Sequence, residues 1–178
     1  MMRGGNAESI TEERARILAS GIMDYGRALR QGIQNMRISN GCTDSQISFD
    51  TPLLSGYNNP DSPDGCKLFT PAGGDVSYTP PLPDSLASIS PAPTLYGEWY
   101  FTGGICAIGL GQDPASCASN NDKEIVAFLP YINLPTCIAI NNALGIDNPG
   151  GSPPVEGGNA WPGGHNKFTG DFAGSVQL

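Results

Sequence analysis

Acidic side chains in two turn-rich segments are the residues best suited to bind a metal ion. Asp61 and Asp64 lie in "NPDSPDG", and Asp147 lies in "GIDNPGG". Carboxylate oxygens and loop carbonyls are ligands that Ca²⁺ prefers, so each of the two segments is a separate candidate for a calcium site. Neither segment has EF-hand spacing, and Asp favours turns because its side chain bonds to nearby backbone. Turn formation is the simpler interpretation, and we expect no cofactor.

The cysteines could form disulfides or bind a metal. They are separated by 24, 40, 11 and 20 residues along the chain, at Cys42, Cys66, Cys106, Cys117 and Cys137. The spacing contains no C-x-x-C pair, and the chain has one histidine, so a Cys/His metal site is not expected. Long loops and a modest core favour disulfides and an oxidising compartment. The alternative is a cytosolic protein with reduced, buried cysteines.

One disulfide can be assigned from the sequence. Cys42 and Cys66 flank a turn-rich insertion at 55–65, as a covalent link across a loop would. On the loop-entropy estimate this link contributes about 3–4 kcal/mol. The pairing of the other three cysteines stays open, and the odd count leaves one thiol free or paired with a cysteine outside this sequence.

Catalytic motifs are scarce. His165, in "WPGGHNK", has no nucleophile motif around it, and no G-x-S-x-G, H-E-x-x-H or phosphate-binding G-K-S/T sequence occurs. We therefore expect no catalytic residues and a protein that is not an enzyme, with a hydrolase using an unrecognised acidic pair as a lesser alternative. Trp99 and Trp161 could stack on a sugar, but Trp99 lies in a predicted strand where packing is the simpler role.

Charge is unevenly distributed along the chain. Six of the 9 basic residues and four of the 17 acidic residues precede Ile38, so that part carries +2 and the remainder −10. The formal net charge of −8 argues against nucleic acid as a partner. No apolar run is long enough to span a membrane, and the opening "MMRGG" is not a signal peptide. Disulfides require export, so we expect an export or anchoring segment upstream that this sequence lacks.

A long amphipathic helix is predicted over residues 9–39. "SITE" at 9–12 is typical of a capping box, and Asn40-Gly41 is typical of a left-handed helix end. At 100° per residue one apolar arc of about 80° contains six side chains, namely Leu18, Ile22, Tyr25, Leu29, Ile33 and Met36. Gly21, Gly26 and Gly32 lie beside this arc, where they either allow close approach of another element or are simply tolerated.

The remaining chain predicts short strands and helices between long loops. The strand candidates are 46–49, 66–69, 75–78, 98–111 and 166–172. Asp122–Pro130 and Leu134–Leu144 are predicted as short helices, the second with Pro135 in its first turn and Gly145 as its end. The expected fold is α+β, with the long helix packed on a small antiparallel sheet.

Four segments carry a resemblance to a known family. They are "NGCTDSQISF", "CKLFTPAGG", "GEWYFTG" and "IVAFLPYINLPTCIAINNALGIDNPGGSPP". Following a long N-terminal amphipathic helix, they resemble the soluble periplasmic part of type IV pilin-like (prepilin or pseudopilin-like) proteins of Gram-negative bacteria. The resemblance covers roughly residues 8–170.

This resemblance implies an architecture and a function. Residues 1–8 are expected to be a flexible remnant of a missing anchor, and residues 9–178 a single pilin-like domain, with the spine helix at 9–39 and the sheet and loops at 43–178. The six residues of the apolar arc are expected to pack on the sheet. The protein would be a structural subunit, periplasmic or extracellular and anchored in the inner membrane, whose partners are other pilin-like subunits or assembly proteins, or copies of itself. The alternative is an exported glycan- or protein-binding module that uses Trp99, Trp161 and the glycine-rich loops.

Overall fold

The described chain is α+β, with one long N-terminal helix, a shorter second helix and a small sheet. The computed structural model describes residues 7–106, 124–154, 167–170 and 176–177. Its elements, in chain order, are α1 (Ala7–Ser39), β1 (Tyr100–Cys106), β2 (Glu124–Phe128), α2 (Leu134–Leu144) and β3 (Val176–Gln177). The α+β class predicted from the sequence is confirmed.

Helix α1 runs for 33 residues without a proline. It begins at Ala7, so Ser9 lies inside the helix and the predicted N-cap at Ser9 is wrong. Its end is as predicted, because Gly41 adopts a φ of 66° that glycine tolerates without a steric penalty. The amide of Cys42 then donates to the carbonyl of Met36 at 3.3 Å, which satisfies one of the carbonyls at the end of the helix.

The sheet has the strand order β2-β1-β3. β1 pairs with β2 in the antiparallel sense, from Tyr100 opposite Phe128 to Thr102 opposite Val126, and the register shifts before Ile105 meets Glu124. β3 pairs with β1 in the parallel sense through Val176 and Gln177. The two-stranded β1–β2 pair is thus antiparallel, as predicted, whereas the short third strand is not.

Several sequence predictions fail in the body of the chain. Residues 124–128 form strand β2, although the pattern of Asp122–Pro130 predicts a helix. The predicted strands at 46–49, 66–69 and 75–78 are not strands, and the first two meet only in an isolated bridge between Ser48 and Lys67. Proline and glycine around these segments interrupt the backbone ladder, so burial of their apolar side chains occurs without extended pairing.

Helix α2 is confirmed in position and in its ends. The Asn133 side chain caps it by accepting from the amide of Thr136 at 2.9 Å, and Pro135 lies in the first turn. Gly145 ends it in the left-handed conformation, with a φ of 72°.

By its internal contacts the chain divides into two compact units. The first contains α1 up to Gly26, the segment Pro80–Glu98 and the segment from Leu129 that includes α2. In it, the backbone around Ser85 runs beside Ile132, with the Ala87 amide donating to the Tyr131 carbonyl at 2.8 Å and the Asn133 amide to the Ser85 carbonyl at 2.8 Å. Its buried side chains include Ala15, Ala19, Ser85, Leu86 and Thr136.

The second unit contains α1 from Arg27, the chain on to Thr79, Trp99–Phe128 and the C-terminal segment from Ala160. Its core is aromatic. Phe49 and Phe101 stack with ring centroids 4.2 Å apart, and Phe168 lies edge-on to Phe49 at 6.0 Å. Tyr57 meets the ring of Phe101 edge-on at 5.6 Å. These rings fill the space beneath β1.

Candidate functional site

The six predicted packing residues of α1 all lie on a covered or partly covered side of the helix. Leu29 and Met36 are buried. The other four are half-buried, namely Leu18, Ile22, Tyr25 and Ile33. The amphipathic arc therefore marks the packed side of α1, most completely between Leu29 and Met36.

At Gly32, α1 lies very close to the rest of the second unit. A methyl group added there would lie 2.6 Å from Cγ2 of Val76, 2.7 Å from Cδ1 of Leu68 and 3.2 Å from the carbonyl oxygen of Gly74. Those atoms belong to a segment without strand structure, so at Gly32 the helix lies against a loop, where the sequence predicted the sheet. The same methyl group at Gly21 or Gly26 would meet nothing within 4 Å.

The C-terminal end of α1 is fixed to the following loop by a covalent bond and by side-chain contacts. Cys42 and Cys66 form the predicted disulfide, with their Cα atoms 5.8 Å apart. Nδ2 of Asn40 donates to the carbonyl of Gly65 at 2.7 Å, and the Arg37 guanidinium pairs with Asp44 at 2.7 Å. The end of α1 is therefore joined to this loop by a covalent bond, a hydrogen bond and an ion pair.

Of the three remaining cysteines, the structure describes the side chain of Cys137. Cys137, on α2, is a half-buried free thiol. Cys117 and the side chain of Cys106 lie outside the described residues, as do Trp161 and His165.

One of the calcium candidates, Asp64, forms an ion pair. Its partner is Lys67, whose ammonium donates to the Asp64 carboxylate at 2.7 Å. This hydrogen bond and the charge of Lys67 hold the pKa of Asp64 below its usual value, and the same pair raises the pKa of Lys67. Asp61 and Asp64 belong to the second unit, whereas Asp147 belongs to the first. Among the described residues, no group of three or more His, Cys, Asp or Glu side chains is placed to hold a metal ion.

Trp99 is buried in the interior of the protein. Trp99, Tyr100 and Phe101 are all buried, so both faces of this part of β1 are covered. Burial raises the pKa of the Tyr100 hydroxyl, because the charged phenolate loses its solvent. Burial agrees with packing, the simpler role predicted for Trp99, since a platform for a sugar needs an exposed ring face.

The surface that sequence reasoning missed lies in the first unit, between the start of α1 and α2. It is a half-open groove of about 730 Å³. Its walls are mostly apolar, from Ala15 on α1 and from Leu134, Ile138 and Ala139 on α2. We call the residues lining it, which also include Glu12 and Arg16, the α1–α2 groove.

A signal for this groove was present in the sequence of α2. Its eleven residues, "LPTCIAINNAL", contain no charge, although five of them are exposed. Thr136 is its one buried residue, while Leu134 and Leu144 are 53% and 60% exposed. An uncharged helix that stays exposed in the isolated chain indicates an interaction surface.

The described helices and the comparisons with known proteins assign this chain to no family. Among the described residues, no helix combines the length and the apolar character needed to cross a bilayer. No protein-family model, no curated protein and no solved structure matches the chain.

Proposed function

We propose that this chain is a pilin-like or pseudopilin-like structural subunit, which acts by assembly in a type IV pilus or a type II secretion-like system. Its place would be periplasmic or extracellular, anchored to the inner membrane in the complete protein. The observation that carries the proposal is α1, an unbroken helix of 33 residues with one side packed and the other open.

The open side of α1 supports a role in assembly. Ile17 and Ile38 are 67% and 83% exposed, one toward each end of the helix. A large apolar side chain in water gains free energy when a partner covers it, about 25 cal/mol per Å² of apolar surface. A helix with a packed side and such exposed positions is suited to contact neighbouring subunits along its length.

The fixed end of α1 supports the same role. In an assembly held together by helices, the body of each subunit must keep a defined relation to its helix end. The Cys42–Cys66 disulfide and the Asn40 contact with Gly65 supply this locally. A structural disulfide is also typical of an oxidising compartment, in agreement with the proposed location.

Charge complementarity supports contact between subunits. The chain through Arg37 carries +2 and the remainder carries −10. The helix of one subunit and the body of the next would therefore attract each other during encounter, with a rate that falls as salt rises.

Photo-crosslinking in cells tests the proposal. A photo-reactive residue replaces Ile17 or Ile38 in the complete gene, expressed at its natural level, and the crosslinked products are separated by mass. We expect a ladder of crosslinked products whose masses are multiples of the mass of the chain. The genes next to its own should encode an assembly ATPase, an inner-membrane platform and a prepilin peptidase. The gene should also encode an apolar segment of about 20 residues ahead of α1. If both positions give only uncrosslinked chain, the proposal is overturned.

A further inference from the structure

The α1–α2 groove has two walls of different character. The α2 wall is uncharged and mostly apolar, and it includes the exposed side chain of Leu134. The α1 wall carries Glu12 and Arg16 at its edge, with Ala15 between them on the groove side. A partner that covers this groove must offer an apolar surface to α2 and charged groups to α1.

The two charges on the α1 wall are one helical turn apart and opposite in sign. An oxygen of Glu12 and a nitrogen of Arg16 lie 3.9 Å apart, and the two side chains are 67% and 76% exposed. An exposed pair of this length contributes little stability. Each side chain can therefore exchange its present neighbour for an equivalent one on a partner at little cost.

We propose that the partner is a second copy of this chain, docked face to face across the α1–α2 groove about a two-fold axis. The axis relates the two copies of α1 in antiparallel directions and does the same for the two copies of α2. Glu12 of each copy then faces Arg16 of the other, and the uncharged α2 walls meet each other. This inference rests on the proposed function and deepens it by naming one surface through which subunits associate.

Charge favours the groove over other faces of this chain for self-association. With a net charge of −8, most faces of two copies repel each other. The groove is different, since Glu12 and Arg16 are the charged residues that line it and α2 contains no charged residue. The groove is thus a neutral surface on an acidic protein, and its one pair of opposite charges is self-complementary.

The size of the groove sets the strength of the association. Ten residues line it, whereas a stable interface of standard size uses roughly 20–30 residues on each side. The predicted dimer is therefore weak and reversible, as suits a contact that is reinforced by others in an assembly.

Charge reversal at the two positions gives a specific test. Glu12→Arg sets an arginine side chain against Arg16 of the second copy, and Arg16→Glu sets a glutamate side chain against Glu12, so each variant repels itself. Mixed in equal amounts, the two variants restore both attractive pairs. Sedimentation equilibrium of the full chain over a concentration series should show self-association at least about tenfold weaker for each variant alone, and recovery in the mixture.

Matched variants separate this effect from net charge. Glu13→Arg changes the charge by the same amount one residue away from the groove edge, and Arg30→Glu reverses an exposed arginine farther along α1. We expect both to associate like the unmodified chain, and circular dichroism should show equal helix content in all variants. A mixture of the Glu12 and Arg16 variants that remains monomeric overturns the inference, as does an unmodified chain that is monomeric throughout.

Failure of the groove contact and failure of the proposed function would give different results. Crosslinked ladders in cells together with unchanged association of the charge-reversal variants would retain the structural-subunit role and reject the groove. Recovery of the dimer in the mixture without ladders in cells would retain the groove contact and reject the pilin-like assembly.

Discussion

The backbone amide of Phe101 donates a hydrogen bond to the side-chain hydroxyl of Tyr57, at 3.2 Å, within the aromatic core of the second unit. The carbonyl of the same Phe101 accepts from the amide of Phe168 at 3.0 Å. On this side of β1, a tyrosine hydroxyl and a loop amide therefore take the place of a neighbouring strand. The sheet can stay small because loop residues satisfy the backbone groups that a further strand would otherwise pair.

Removing that hydroxyl should destabilise the protein with little change in packing. Tyr57→Phe keeps the ring against Phe101 but leaves a buried amide without this acceptor, which costs about 1–3 kcal/mol. Urea unfolding should show the loss, and hydrogen exchange at the Phe101 amide should accelerate. Unchanged exchange at Phe101 would mean that the hydroxyl is not its acceptor in solution.

A methyl group at Gly32 should have the opposite effect to one at Gly21. Gly32→Ala places a carbon 2.6 Å from Val76 and 2.7 Å from the buried side chain of Leu68, and such overpacking costs about 1–3 kcal/mol. Gly21→Ala meets nothing within 4 Å and should raise stability by about 1 kcal/mol, because alanine favours helix. Thermal unfolding of the two variants checks this, and equal shifts in one direction would contradict the close approach.

The Cys42–Cys66 disulfide should contribute substantially to stability. The bond closes a loop with a sequence separation of 24, and replacing both cysteines by serine should cost about 3–4 kcal/mol on the loop-entropy estimate. Urea unfolding under non-reducing conditions gives the difference. Cys137→Ser, which removes a free thiol, serves as the control and should change stability far less. Mass mapping without reductant should recover the peptides of residues 42 and 66 joined together.

The acid titration of Asp64 should depend on Lys67. The hydrogen bond from Lys67, and then its charge, lower the pKa of Asp64 from the ordinary 3.8. Because the folded-state pKa is the lower one, the pair contributes stability above pH 3.8 and loses it as the pH falls through the folded-state value. At the alkaline end the raised pKa of Lys67 has the reverse sign, so its contribution is lost as pH rises through that pKa.

Nuclear magnetic resonance of the Asp64 carboxyl carbon measures this directly. In Lys67→Met the titration midpoint should rise toward 3.8. In Lys167→Met it should stay in place, because the Lys167 ammonium donates to the carbonyl of Ser55 instead. A midpoint that does not move in Lys67→Met would show that the ion pair is not populated in solution.

The features that follow from local chemistry could be predicted from the sequence. Helix α1 has an apolar repeat and no proline, α2 has Asn133 and Gly145 at its ends, and Cys42 and Cys66 flank one loop. Each of these is set by residues close together in the chain, so pattern and spacing were sufficient. The α+β class followed from the same signals.

The features that depend on contacts between distant residues could not be predicted from the sequence. Residues 124–128, "EIVAF", are strand β2 because β1 lies beside them, and nothing within the segment itself decides between helix and strand. The loop that lies against Gly32 and the α1–α2 groove are also products of tertiary contact. The pattern showed that α1 has a packed side, but it did not show which segment covers that side.

The disulfide at the C-terminal end of α1 also limits how far the chain can extend under mechanical tension. A pull transmitted along α1 arrives at Cys42, where the covalent ring offers a direct route to Cys66. The intervening chain is spared, which removes about 80 Å of possible extension, at 3.3–3.6 Å per residue over the separation of 24. While the bond is oxidised, a stretched chain cannot release this loop, and its greatest extension is smaller by that length.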